Sequence, residues 1–322
     1  MLRLISTLLM TPFLSLALTT AVTAQNYPTK PLRIIVPFPP AGSNDIVARA
    51  VATPLGERLG KQVIVDNRPG AGAVVGTELA ASAPKDGHTL LIVSLTHAIN
   101  PWLYKLPYDP IKGFAPIAMI ASGPMVLTVN PGLEAKSVNE LIALAKAKPG
   151  QLQYASAGVG TFTHLSAELF KLAAGVEMLH VPFRGGGPAN IDLIGGHTKV
   201  MFNNVPTAMP HIRSSKLRAL GVGGAKRISV LPNVPTIAES GVPGYEANNW
   251  WGILAPAGTP ATIVERLHKE ITAIQNSPDV QKQLEAEGEE VVHMSSAEFG
   301  SFLVKEMNKW ERVVKTANIK AE

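Results

Sequence analysis

Twice within its first hundred residues the chain passes from a short apolar run, through small residues, into a helical pattern, and this succession constrains the fold more than any other feature. "LRIIV" (32–36) precedes a helical pattern from Asp45 to Leu59, with Ile46, Val47, Ala50, Val51 and Leu55 on one face. "QVIVDN" precedes "RPGAGAVVGTELAASAP", and "TLLIVS" (89–94) supplies a third apolar run. Runs with no polar alternation bury both faces, as strands do in a parallel sheet covered by helices, so the class is α/β. Pro54 is expected to kink the first helix or end it early. Capping boxes are expected at Ser137 with Glu140 and at Ser295 with Glu298; Pro260 and Pro278 fall at first helical positions, and Gly175 and Gly288 at helix ends.

An internal echo suggests a second, similar unit. "VPFPPAGSNDIV" (36–47) and "VPFRGGGPANID" (181–192) align without gaps, sharing Val-Pro-Phe, a glycine at Gly42 and Gly187, and an isoleucine at Ile46 and Ile191. Each reads as strand, wide turn and helix, so two α/β lobes would face each other across a cleft, each presenting a helix N-terminus. A chain of 322 residues is long enough for two lobes, and with no cysteine neither disulfides nor thiolate metal sites contribute.

The first 24 residues read as an export leader. Arg3 supplies a positive start, Leu4 to Val22 is almost wholly apolar or hydroxylic, and Val22-Thr23-Ala24 before Gln25 is a cleavage pattern. A retained membrane anchor is the alternative, although Pro12 interrupts the segment and no charged stop-transfer flank follows. The expectation is cleavage after Ala24 and a soluble periplasmic product, with no cysteine to carry a lipid. A net charge of +5 without any run of Lys or Arg gives no stripe for nucleic acid.

Catalytic signatures are missing. There is no H-E-x-x-H, no G-x-S-x-G, no P-loop and no EF-hand, and the eight histidines show no metal-ligand spacing. Gly70-Ala71-Gly72 with Gly76 falls short of a dinucleotide fingerprint because Val75 occupies its sixth position. No cofactor is therefore expected. "YASAGVGTFTH" (154–164) reads as a buried strand, a glycine turn and a helix start, an arrangement that aims free N–H groups at an anion. The alternative is a helix cap whose hydroxyls are satisfied locally.

Several separated motifs together resemble the Bug-type (TctC-like) extracytoplasmic solute receptors of tripartite tricarboxylate transport systems: "YPTKPLRIIVPFPPAGSNDIVAR", "VIVDNRPGAGAVVGTELAASAPKDGHTLL", "HAINPWLYKLPYDP", "YASAGVGTFTHLSAELF", "HVPFRGGGPANIDLIGG" and "PTIAESGVPGYEANNWWGILAPAGTP". The resemblance implies a two-lobed periplasmic-binding-protein fold (type II-like), with residues 25–124 plus 247–322 forming one lobe and 125–246 the other. It also implies capture of a small carboxylate between the loops Pro39 to Asp45 and Ser156 to His164. Ala41, Gly42, Ser43, Asn44 and Asp45 would act from the first loop, partly through water, and Ser156, Gly158, Gly160, Thr161 and Thr163 from the second. Thr96 and His97 would line the cleft, with a satisfied loop histidine as the alternative for His97. Arg184 would meet a second carboxylate or serve a structural salt bridge, and Asn203 and Asn204 would read a polar end. Trp250 and Trp251 would wall the cleft or the lobe crossing. Asp45 would either pair with Arg49 or read a ligand ammonium. Ala41 departs from the family's commoner Gly-Gly pair, and Asn44 adds an amide nearby. Membrane transporter subunits are the implied partners of a monomer. A sensor kinase as partner, or an exported enzyme with His97 or His164 as general base, are the alternatives.

Overall fold

The computed structural model describes residues 27–316 together with 319 and 320, so the leader and its expected cleavage after Ala24 lie outside the described residues. In chain order the elements are β1 (Leu32–Val36), α1 (Ser43–Leu59), β2 (Val63–Asn67), α2 (Val74–Ala81), β3 (Thr89–Ser94), α3 (Leu95–Ile99) and β4 (Phe114–Val129). The middle of the chain supplies α4 (Val138–Ala147), β5 (Gln153–Ser156), α5 (Phe162–Ala174), β6 (Leu179–Pro182), α6 (Gly186–Gly195), β7 (Val200–Asn204), α7 (Val205–Arg213) and β8 (Arg218–Val222). The last part adds β9 (Asn248–Pro256), α8 (Ala261–Gln275), α9 (Pro278–Ala286), β10 (Glu290–Val291) and α10 (Ser296–Thr316).

The strands join in the order β2-β1-β3-β9-β4-β7-β5-β6, with β8 and β10 also pairing β4. β1 is parallel to β2 and β3, and β5 is parallel to β6 and β7, giving two parallel sets with helices on their faces. The 16-residue β4 links them: Phe114 to Pro124 run antiparallel to β9, whereas Met125 to Val129 lie between β7 and β8. The result is two lobes on one continuous strand. Each set ends its parallel strands toward the space between the lobes, where helix N-termini gather.

Local signals account for most element ends. Glu298 N donates to Ser295 Oγ at 3.2 Å while Ser295 N donates to the Glu298 carboxylate at 2.8 Å, a complete capping box. At Ser137 the first half forms, and Glu140 reaches Lys136 N instead of the cap residue's own N–H. Gly175 ends α5 in the left-handed conformation with φ 62°. Pro278 opens α9, whereas Pro260 sits one place earlier than expected, as the N-cap of α8.

Pro54 departs from expectation, because α1 begins at Ser43 and runs through it to Leu59. Val47, Val51 and Leu55 of α1 are buried in one cluster with Ile34 and Val36 of β1 and Leu267 and Ile271 of α8. Burying such side chains is worth about 1.5–3 kcal/mol each, so the three together exceed the roughly 3 kcal/mol that an interior proline costs.

Candidate functional site

Between the lobes lies a small cavity of about 30 Å³. Its walls come from the carboxyl ends of the strands and the helices that follow: Phe38, Pro39, Gly42, Ser43 and Asn44 after β1, Ser94 and Thr96 after β3, Ala157 and Thr161 to Thr163 after β5, Gly186 of α6, Asn204 and Thr207 after β7, and Asn249 of β9. No charged side chain is in this lining. Positive potential there comes from backbone. The N-cap residues of α1 and α5, Gly42 and Thr161, make no side-chain cap, so the first-turn N–H groups at Ser43, Asn44, Phe162 and Thr163 have no intrahelical acceptor. Each helix end carries roughly half a positive charge, worth about 0.3–1 kcal/mol to an anion and up to about 2 when partly buried.

The turn before α5 is tightly tied. Gly158 (φ 132°) and Gly160 (φ 73°) take backbone conformations that side chains avoid, and a Cβ on Gly160 would lie 2.2 Å from Leu103 Cδ1 of the opposite lobe. Gly158 N donates to Ser156 Oγ at 3.1 Å, and Gly160 N to His164 Nδ1 at 3.2 Å. Ala157 N donates to Thr163 Oγ1 at 2.8 Å, and Thr163 Oγ1 lies 2.9 Å from Thr161 Oγ1. The glycine N–H groups are thus spent within the turn, and the first residues of α5 face the cavity instead. Ser156 is fully buried, Gly158 lines a neighbouring cavity, and Gly160 lines neither.

Opposite, Asp45 organises its own turn. Its carboxylate accepts from Ala41 N (2.9 Å), Arg49 Nε (3.0 Å) and Asn67 Nδ2 (3.0 Å), and pairs with Arg49 Nη2 at 2.9 Å. Burial by itself would raise its pKa, but these donors outweigh it and hold the carboxyl below its ordinary range. The contacts also hold Ala41 at φ 63°. Asp45 lies outside the lining, whereas Asn44 is inside it: Asn44 Oδ1 accepts from Trp251 Nε1 at 3.0 Å, and its buried Nδ2 has no partner among the described residues. A buried amide donor without an acceptor is costly unless a ligand or water completes it.

Asn249 knits the cavity floor. Its Oδ1 accepts from Leu95 N (3.2 Å) and Trp250 N (2.9 Å), and its Nδ2 donates to Asn204 Oδ1 (2.8 Å), joining α3 to the start of α7. Motif reading did not single it out, nor Thr207, Ser94, Phe38 or Gly186. Asn249 becomes visible only through the register that sets Ser94 opposite Trp251.

Other expected positions fall elsewhere. His97 is in the core: Nε2 lies 2.9 Å from Pro110 O, the ring meets Phe114 edge-on, and burial pushes its pKa down to about 4. Asn203 points away from the cavity, its Nδ2 donating to Asn190 Oδ1, because strand parity gives the cavity to Asn204. Trp250 packs against Phe299 and Phe302 in the core, and Trp251 reaches the site only by orienting Asn44. Arg184 lines an outer cavity of about 500 Å³, which shares Phe38, Pro39 and Ala157 with the inner one and is walled further by Gly70 to Ala73, Tyr104, Val159 and Phe183. The two echo turns meet here, a Cβ on Gly185 lying 2.9 Å from Pro39. Among the described residues no cluster of His, Asp or Glu is placed to hold a metal, and no helix is long and apolar enough to cross a membrane.

Two α/β lobes closing on an uncharged, dipole-lined cleft define a solute-binding receptor. The profile described as "Tripartite tricarboxylate transporter family receptor" matches residues 47–319, and the chain belongs to that family. It is 37% identical to Protein BugT of Bordetella pertussis over 302 residues, 93% of each chain. An R. palustris protein solved with adipate superposes with TM-score 0.89 at 36% identity, covering 91% of this chain and 99% of its own. MatC of Rhodopseudomonas palustris, solved with malate, does so with TM-score 0.85 at 31% identity, covering 89% and 100%.

Proposed function

We propose that the inner cavity captures the carboxylate of a small organic acid and that the outer cavity takes the remainder of the molecule, with Arg184 facing a second acidic end. The observation that carries this reading is the convergence of two uncapped helix starts on a cavity without a charged side chain, with Asn44, whose Nδ2 has no partner among the described residues, in its lining. A lone carboxylate fits that field, and the inner lining holds no carboxylate to receive an ammonium. Arg184 has no ion pair among the described residues, so its guanidinium is available to a ligand. Adipate and malate in two family structures support a small organic acid.

In this reading the chain is exported, cleaved after Ala24 and delivered as a monomer to membrane transporter subunits. Its lobes comprise residues 25–124 plus 247–322 and residues 125–246; the change of strand partner between Pro124 and Met125 supports that division. Gly42, Ser43, Asn44, Thr96, Thr161 and Thr163 serve the ligand directly or through their backbone, and Ala41 serves it through the turn that Asp45 holds.

The test is thermal unfolding of residues 25–322, refolded to remove carried-over ligand, with mono-, di- and tricarboxylates and amino acids. Ligand at 100 times its Kd adds about 2.7 kcal/mol and raises the midpoint. Dicarboxylates are expected to shift it more than monocarboxylates, and Arg184→Gln to remove the difference. A folded protein that answers none of the acids refutes the reading.

A further inference from the structure

We infer that His164 and His180 are positioning residues for ligand capture: they touch neither cavity, yet hold the turn before α5 in its anion-facing shape, His164 through an unprotonated Nδ1. This rests on the reading that the start of α5 meets the ligand. Two polar groups of the turn are tied to side chains outside it. Gly160 N donates to His164 Nδ1 at 3.2 Å, and Ser156 Oγ, which accepts from Gly158 N, lies 2.6 Å from His180 Nε2. The rings come from α5 and β6 and stack 4.0 Å apart at 6°, and the Tyr154 ring of β5 lies 4.9 Å from His180 at 15°. The stack fixes the height and tilt of both nitrogens, as a single exposed histidine does not.

Hydrogen-bond direction settles one tautomer. A backbone N–H only donates, so Nδ1 of His164 is bare and its proton sits on Nε2, 3.9 Å from Glu168 Oε1. A proton on Nδ1 would set N–H against N–H, release Gly160 and free the Thr161 N-cap to shift. Few neighbours favour that proton. Glu168 is already bound by Tyr154 Oη at 2.5 Å and Lys171 Nζ at 2.9 Å, Lys171 opposes further positive charge, and His180 stacks on the ring with the Ser156 hydroxyl beyond it. Burial and the nearby Lys171 push His164 down to about 4; burial first, then His164 itself, push His180 to about 3. The turn therefore keeps its shape across ordinary pH and loses it in acid.

Nitrogen-15 NMR of the ligand-free chain at pH 7 tests the tautomer without any ligand. The expected result is a bare Nδ1 on His164 coupled to the Gly160 amide; an Nδ1-protonated ring overturns the inference. Titration toward pH 4 is expected to move the Gly160 amide with the His164 ring, and a ring that protonates while the amide stays still also overturns it. Adipate is the binding probe. Asn places an amide oxygen near the Nδ1 position, so His164→Asn is expected to bind within about threefold of the parent and to lose the acid-side fall, whereas His164→Leu weakens binding by about tenfold or more. A folded His164→Leu that binds adipate like the parent refutes the positioning role. A parent that ignores adipate counts against the ligand reading, and the NMR result then decides this one alone.

Discussion

Replacing Asp45 by Asn separates a turn organiser from a reader of ligand ammonium. One carboxylate oxygen accepts from Ala41 N and Arg49 Nε, and the other accepts from Asn67 Nδ2 and pairs with Arg49 Nη2, so an amide nitrogen at either place opposes two of these groups. The Arg49 side chain is 55% exposed and turns to water, which limits the lost ion pair to about 1 kcal/mol or less. The second donor is less accessible, and leaving it without an acceptor costs about 1–3 kcal/mol. The sum, about 1–4 kcal/mol, divided by an unfolding entropy of about 0.6 kcal/mol per kelvin for a chain of this size, lowers the midpoint by about 2–7 °C at pH 7. Because the folded carboxyl titrates below its ordinary value of 3.8, its contribution is complete above that value and is lost as pH falls through the folded pKa. The gap between parent and variant should therefore close in acid. Differential scanning calorimetry from pH 7 to pH 3 measures both effects, with the acid panel repeated on the variant. An unchanged midpoint, together with selective loss of response to amino acids, would refute the reasoning and return Asp45 to the ligand.

Two further predictions concern groups away from the helix starts. Glu289 is buried beside Gly123 with neither oxygen hydrogen-bonded among the described residues, and burial followed by the neighbouring Glu287 raises its pKa well above 4.5. The folded state then holds a proton that the unfolded chain releases, so stability falls as pH rises above 4.5; Glu289→Gln should raise the midpoint at pH 8 and make no difference near pH 4, as calorimetry at the two pH values will show. Asn249→Ala removes the acceptor for Leu95 N and Trp250 N, and should cost about 2–4 kcal/mol in urea unfolding while weakening capture of any acid that binds the parent.

The sequence discloses what depends on near neighbours. β1 and β3 were legible as apolar runs, and the caps at Ser295 and Gly175 as residue types at fixed spacing. Cleft roles depend on partners far along the chain. Asp45 is tied down partly by Asn67, and Asn44 is oriented by Trp251, 207 residues away. A one-residue change of parity decides between Asn203 and Asn204, and no local pattern sets it before β7 is paired. The glycine turn was recognisable as a strand-to-helix junction, but not that His164 takes the Gly160 N–H, since that depends on the helix folding back over its own turn. Pro54 misled because propensity is local while the burial that overrides it involves α8.

β4 belongs to both lobes at once, its first part to the sheet that ends in β2 and its last five residues to the sheet that ends in β6. Neither lobe is a module that recombination could move. A cut between Pro124 and Met125 would leave the five residues that β7 and β8 share as a free strand end, no longer held in place by the part paired with β9. New ligand preferences in such a chain must therefore arise by substitution in the loops at the cleft, with the two halves inherited together.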